Sequence, residues 1–183
     1  MKYTFLLFLF LSFCIASCEE ESYIPKPRGY FKIEYPPKNY TQFSKEGYPY
    51  QFEYPSYAQV IKDSLFFAEK VENPWWVNIQ IPTLNATIYM SYKEINSKQT
   101  LLKLLDDSYK LSHYHAKKAN YIKEDKQFHT ANNVHGLYYD VGGNAASALQ
   151  FFATDSMKHF IRGALYFNTT PNIDSLRPSA DFL

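Results

Sequence analysis

The stretch that decides the fold is Val134-His-Gly-Leu-Tyr-Tyr-Asp-Val141, Gly142-Gly-Asn144, Ser147-Ala-Leu-Gln-Phe-Phe-Ala-Thr154, Asp155-Ser-Met-Lys158 and His159-Phe-Ile-Arg-Gly-Ala-Leu-Tyr-Phe167. Three runs rich in aromatic and aliphatic residues are separated by short segments of Gly, Asn, Asp and Ser. Glycine and asparagine supply the positive φ that tight turns need, so the pattern predicts an antiparallel meander. Within the middle run Leu149, Phe151 and Ala153 alternate with Gln150 and Thr154, which predicts an apolar and a polar face.

Upstream of the meander the period changes. Leu101, Leu104, Leu105, Tyr109 and Leu111 recur at steps of three and four, the mark of one long amphipathic helix over 97–118. Ser97 can cap its start, and Lys117-Lys118 suit the dipole at its end. Earlier strands are expected at 29–35, 48–54, 64–68, 75–81 and 84–92. Phe31 and Ile33 alternate with Lys32 and Glu34 in the first, and Pro55 ends the second. Downstream, Pro178 suits the first turn of a helix, yet the chain stops at Leu183, so that last helix is expected to be incomplete. The sum is an α+β fold: a single domain over 29–183, an antiparallel β-sheet with the helices packed on one face.

The N-terminus reads differently. Lys2 precedes an almost uninterrupted apolar run from Phe5 to Ile15, and Ile15-Ala16-Ser17-Cys18 follows. The run is short for a bilayer span, which needs roughly 20 apolar residues. A positive start, an apolar run and small residues before a cut site make a signal peptide over 1–17. Aliphatic, small, small, Cys is the lipobox pattern. The Cys18 thiol would take a diacylglycerol group, and cleavage would free its amine for further acylation. Each buried CH₂ of those chains contributes about 0.8 kcal/mol, so several chains anchor firmly. Residues 18–28, with Pro25 and Pro27, form a tether. Glu19-Glu20-Glu21 beside Cys18 resembles an acidic sorting tag for export to the bacterial surface.

Composition narrows the classes further. The chain has 19 Lys and Arg against 18 Asp and Glu, a formal charge of +1. A neutral chain without basic runs argues against nucleic acid and against electrostatic docking to membranes. Both cysteines, Cys14 and Cys18, lie in the first eighteen residues, so the domain beyond them has neither disulfide nor thiolate metal site. With 46% hydrophobic and 19% aromatic residues, it has the means to build a core.

Beyond these readings, Gly143-Asn-Ala-Ala-Ser147, Gln150-Phe151, Thr154-Asp-Ser156, Phe160-Ile-Arg-Gly-Ala-Leu-Tyr-Phe167, Pro171-Asn-Ile-Asp-Ser175 and Pro178 together resemble the gliding motility lipoprotein GldD family of Bacteroidetes. Pro25-Lys-Pro27 and Tyr35-Pro36 add to the likeness, which covers essentially the whole mature chain. The resemblance implies a lipid-anchored cell-envelope protein required for gliding and linked to type IX secretion of surface adhesins. Its partners would be the membrane, through the acyl chains, and other proteins of that machinery. It implies no catalytic residue, and only Cys18 carries over as a site. Family members continue into a C-terminal helix, from which this chain departs by ending early.

A search for chemistry finds little. His113 and His115 are two apart on the predicted helix, where a zinc pair needs three or four. His129, His135 and His159 stand singly. Asp106-Asp107 suits a solvated helix face. Phosphate loop, dinucleotide fingerprint and nucleophile elbow are all missing. No catalytic residue, metal or cofactor is therefore expected. Trp75-Trp76 offers a stacking platform for a glycan or peptide, provided one ring points outward. Asp63-Ser64-Leu65, Asp155-Ser156-Met157 and Asp174-Ser175-Leu176 each match an acceptor pattern for O-glycosylation. The leading expectation is an envelope lipoprotein acting through protein contacts, and the alternative is a ligand-binding lipoprotein with an aromatic surface.

Overall fold

The computed structural model describes residues 32–63, 65–66 and 69–183. The strands are β1 (Tyr40–Phe43), β2 (Phe52–Pro55), β3 (Gln59–Lys62), β4 (Leu65–Phe66), β5 (Glu69–Lys70), β6 (Val77–Ile81), β7 (Ala86–Glu94), β8 (Ala119–His129), β9 (His135–Gly143), β10 (Ser147–Thr154) and β11 (His159–Phe167). The helices are α1 (Lys98–His113) and α2 (Ile173–Phe182), and a 3₁₀ turn at Tyr114–Lys117 extends α1.

The meander is present and one strand longer than expected. A seven-stranded sheet runs in the order β3-β6-β7-β11-β10-β9-β8, with β1-β2 and β4-β5 as separate pairs. Every pairing in the large sheet is antiparallel. The fold is α+β, as the pattern predicts. β8 escapes the sequence pattern because it forms one edge. It carries Lys123, Glu124 and Lys126, and its register slips between Lys123 and Lys126. An edge strand has one neighbour and less need of apolar alternation.

Three local expectations change. Residues 32–39 hold no strand, and the rest of the predicted first strand lies outside the described residues. The helix predicted from Pro178 starts earlier, at Ile173. The Asn172 side chain caps it by accepting from the Ser175 N–H, and Pro178 sits inside it, removing one backbone donor. The turn expected at Gly142-Gly143-Asn144 shifts forward. β9 continues through Gly143, whose φ of +91° then opens the turn.

The two helices do not share a face. Paired residues in antiparallel strands point the same way, so the registers sort the sheet into two sides. On one side lie Val77, Ile79, Ile81, Met90 and Leu165, buried beneath Phe43, Tyr48, Phe52 and Tyr54 of the β1-β2 region and beneath Ala180 and Leu183 of the C-terminal segment. On the other side, Leu101, Leu104 and Leu105 of α1 pack on Phe152 and Phe160, whose rings stack at 5.5 Å. Each fully buried Leu or Ile contributes about 1.5–3 kcal/mol, so two modest cores hold one sheet between them. A helix on one face alone would leave the other apolar face in water.

Candidate functional site

The predicted lipidation residue Cys18, the acidic tag Glu19, Glu20 and Glu21, and Ser64 all lie outside the described residues. Ser156 lies in the β10-β11 turn, exposed, with φ of +61°. That turn is built by Asp155. Its Oδ1 accepts from the backbone N–H groups of Met157, Lys158 and His159 at 2.8 to 3.0 Å. Burial raises the Asp155 pKa, but those three bonds and the charge of His159 outweigh it and hold the carboxyl below its ordinary value. Ser175 is exposed in the first turn of α2, where its Oγ donates to the Asn172 carbonyl.

The tryptophans are tied to the chain through their N–H groups. Both precede β6 and both are half-buried. Trp75 Nε1 donates to the Gly47 carbonyl at 2.7 Å, and Trp76 Nε1 donates to the Tyr92 carbonyl at 3.0 Å. These indoles pin the loop to the sheet. The histidines are dispersed: His113 contacts Glu124 at 3.1 Å, His159 Nδ1 meets the Tyr92 hydroxyl at 2.7 Å, and His129 and His135 face each other across β8 and β9. Among the described residues no three metal-ligating side chains come together. Asp106 pairs with Lys110 at the surface.

Among the described residues a concentration of unusual chemistry lies under α1, on the face that sequence alternation marks as polar. Gln150 of β10 is fully buried, as are Ser108 and Ser112 of α1. The Gln150 Oε1 accepts from the Ser112 hydroxyl at 3.3 Å and from Arg162 Nη2. Tyr139 stands directly opposite Gln150 on β9. Tyr166, two residues beyond Ala164 on β11, shares the Arg162 side and meets the His115 ring edge-on. Thus β9, β10, β11, α1 and the 3₁₀ turn each contribute a polar group to one place.

The electrostatics there are distinctive. Burial lowers the pKa of Arg162, and its titratable neighbours are the hydroxyls of Tyr166 and Tyr139. No carboxylate forms an ion pair with it among the described residues. Burial, and then the Arg162 charge, lowers the His115 pKa, so that imidazole is neutral near pH 7. Burial raises the pKa of Tyr139 and of Tyr166, so both stay as phenols. Arg162 Nε and Gln150 Nε2 are buried without a hydrogen-bond partner, while the Ser108 hydroxyl bonds the Tyr139 phenol. Burying such groups unpaired costs about 1–3 kcal/mol each, more for a charge. Perturbed groups cluster at functional sites, which makes this cluster the candidate site.

A signal for this cluster did exist. Leu104, Ser108 and Ser112 follow one another at i, i+4 on the same stripe as Leu101 and Leu105. Serines on an otherwise apolar helix stripe call for polar partners on the sheet beneath.

Fold and cluster together define a class: a small α+β domain whose distinctive feature is an arginine held against a seven-stranded antiparallel sheet without a carboxylate partner. The chain belongs to the family described as gliding motility lipoprotein GldD, whose model matches residues 20–183. That family is one of membrane-anchored envelope lipoproteins linked to gliding motility. No helix among the described residues is long and apolar enough to cross a membrane. No match is found among curated proteins. Among solved structures the chain is similar to the solution structure of cyanobacterial PsbP (CyanoP) from Synechocystis sp. PCC 6803. Identity is 15% and the TM-score 0.46, over 86% of this chain and 92% of that chain.

Proposed function

We propose that this chain is a non-enzymatic envelope lipoprotein that supports gliding, and the type IX secretion of surface adhesins, through contacts with other envelope proteins. The observation that carries this reading is the family match over 20–183. The lipobox ending at Cys18 supports it, because an acylated Cys18 would hold the domain at a membrane surface where such machinery operates. Glu19-Glu20-Glu21 bears on which side of the membrane the domain occupies. A clean deletion in a gliding host is expected to abolish colony spreading and reduce adhesins at the surface. Complementation with Cys18→Ser is expected to lose acyl labelling and to restore neither. Unchanged spreading and secretion in the deletion strain would overturn the proposal.

The second reading is a ligand-binding lipoprotein. Trp75 and Trp76 lend it little, since both indole N–H groups are spent within the chain. The unspent donors under α1 favour it instead, with a small polar ligand in place of a stacked sugar. Ser64, Ser156 and Ser175 remain proposed O-glycosylation positions, and Ser156 and Ser175 are exposed. Intact mass of the native protein checks this; the absence of added hexose excludes it.

A further inference from the structure

Arg162 sits near the middle of the sheet, opposite Phe152 on β10 and Ser91 on β7. One of its nitrogens is committed to Gln150 Oε1. Its Nε–H is buried and unpartnered, and so is the Gln150 amide nitrogen. Both are obligate donors. Ser108, 1% exposed, adds a hydroxyl that lies against the Tyr139 phenol and is hydrogen-bonded to it. A partly desolvated guanidinium lacking a carboxylate counter-charge lacks the group that most often compensates its burial. The chemistry that satisfies a guanidinium edge and adjacent N–H donors is a planar, acceptor-only anion.

The polar side of the sheet extends beyond Arg162. Among the described residues α1 packs over β10 and β11, through Phe152 and Phe160. The same face of the sheet continues past β11 through Ser91 and Tyr89 of β7 to Asn78 and Gln80 of β6. Ser91, Tyr89 and Asn78 are only partly buried, and Gln80 is exposed. Asn78 Oδ1 is a further buried acceptor without a partner. From exposed Gln80 to Arg162 this face of the sheet is lined by polar side chains.

We propose that Arg162 and Gln150, flanked by Ser108, form a binding site for a carboxylate-bearing ligand, approached along the β6-β7 floor beside α1. A carboxylate matches the fork of a guanidinium with two acceptors and completes the unspent donors. The source of the carboxylate is either a free small organic acid or the C-terminus of a peptide. The site stands independently of the gliding role, since it rests on the side-chain geometry and not on the family match.

The test uses the full lipidated protein in detergent micelles. Acetate, succinate, a short peptide with a free C-terminus and the same peptide amidated are titrated at constant ionic strength, with chloride as control. The readouts are the Arg162 Nε–H resonance, assigned through Arg162→Lys, and the thermal midpoint. Saturable movement of that resonance together with a rise in midpoint is expected for a carboxylate. The free acids and the free-against-amidated peptide pair separate the two sources. Arg162→Lys is expected to weaken binding about tenfold or more, because the planar fork is lost. Should an Arg162 variant fail to fold, Ser108→Ala is the second variant, expected to weaken binding about threefold or more at unchanged fold. Failure of every carboxylate at millimolar concentration to move the resonance of folded wild-type protein would overturn the site. So would binding that neither variant weakens.

Discussion

Asp155 illustrates how much one short side chain can organise. It ties three successive N–H groups and so shapes the β10-β11 turn. Its folded pKa lies below its ordinary value of 3.8, so its contribution is present at neutral pH. That contribution is lost as pH falls through the folded value. Denaturation curves taken between about pH 6 and 2 should show falling wild-type stability below about pH 4. Asp155→Asn, which cannot lose that charge, should show a shallower fall. Three glycines have a complementary role. Gly136, Gly142 and Gly163 lie opposite Phe128, Tyr121 and Phe151, whose rings lie across them. A Cβ on Gly163 would come within 2.2 Å of the Phe151 ring. Gly163→Ala should therefore destabilise the protein by about 1–3 kcal/mol in urea unfolding, as overpacking does. At this scale the sequence fell short in one respect. Alternation in β10 was legible and put Gln150 and Thr154 on a polar face, but it could not show that both are buried there. Period two separates faces without saying what covers each one.

Among the elements, β10 and β11 match the predicted spans, and β7, β9 and α1 match within a few residues. Turn residues and apolar periodicity delimit these segments locally. β1 and β3 have no comparable signature. Each is four residues long and mostly exposed, and each exists because a partner strand is already in place. α2 is intermediate. Its start is set by the Asn172 cap and not by Pro178, which lies inside it. What fixes α2 is tertiary: Arg177 grips Asp140 through two bonds of 2.7 and 3.1 Å, donates to the Tyr121 hydroxyl, and pairs with Asp181 one turn on. Arg177→Met should cost about 1–3 kcal/mol, read as a lower denaturation midpoint, since it leaves the half-buried Asp140 without its partner.

The whole molecule is a sheet clothed twice, and the two coverings come from distant parts of the sequence. One side is closed by the N-terminal aromatic region with α2, where Phe182 stacks on Tyr35 at 4.3 Å. The other is closed by α1. Removing residues 173–183 should uncover Leu165, Ile81 and their neighbours. The expected result is a loss of several kcal/mol together with increased binding of a hydrophobic dye. The Arg162 cluster belongs to this scale as well. It joins side chains from β10, β11 and α1, and no window of sequence contains them all.

The outer margin of β8 bears on life at a membrane. Molecules tethered to a bilayer share a thin layer, where neighbours meet far more often than in free solution. A long, flat, apolar margin would there recruit the same margin of the next molecule and grow into a fibril. The charges at Lys123, Glu124 and Lys126 and the slipped register beside them make that margin a poor template, so crowding on the bilayer need not become aggregation.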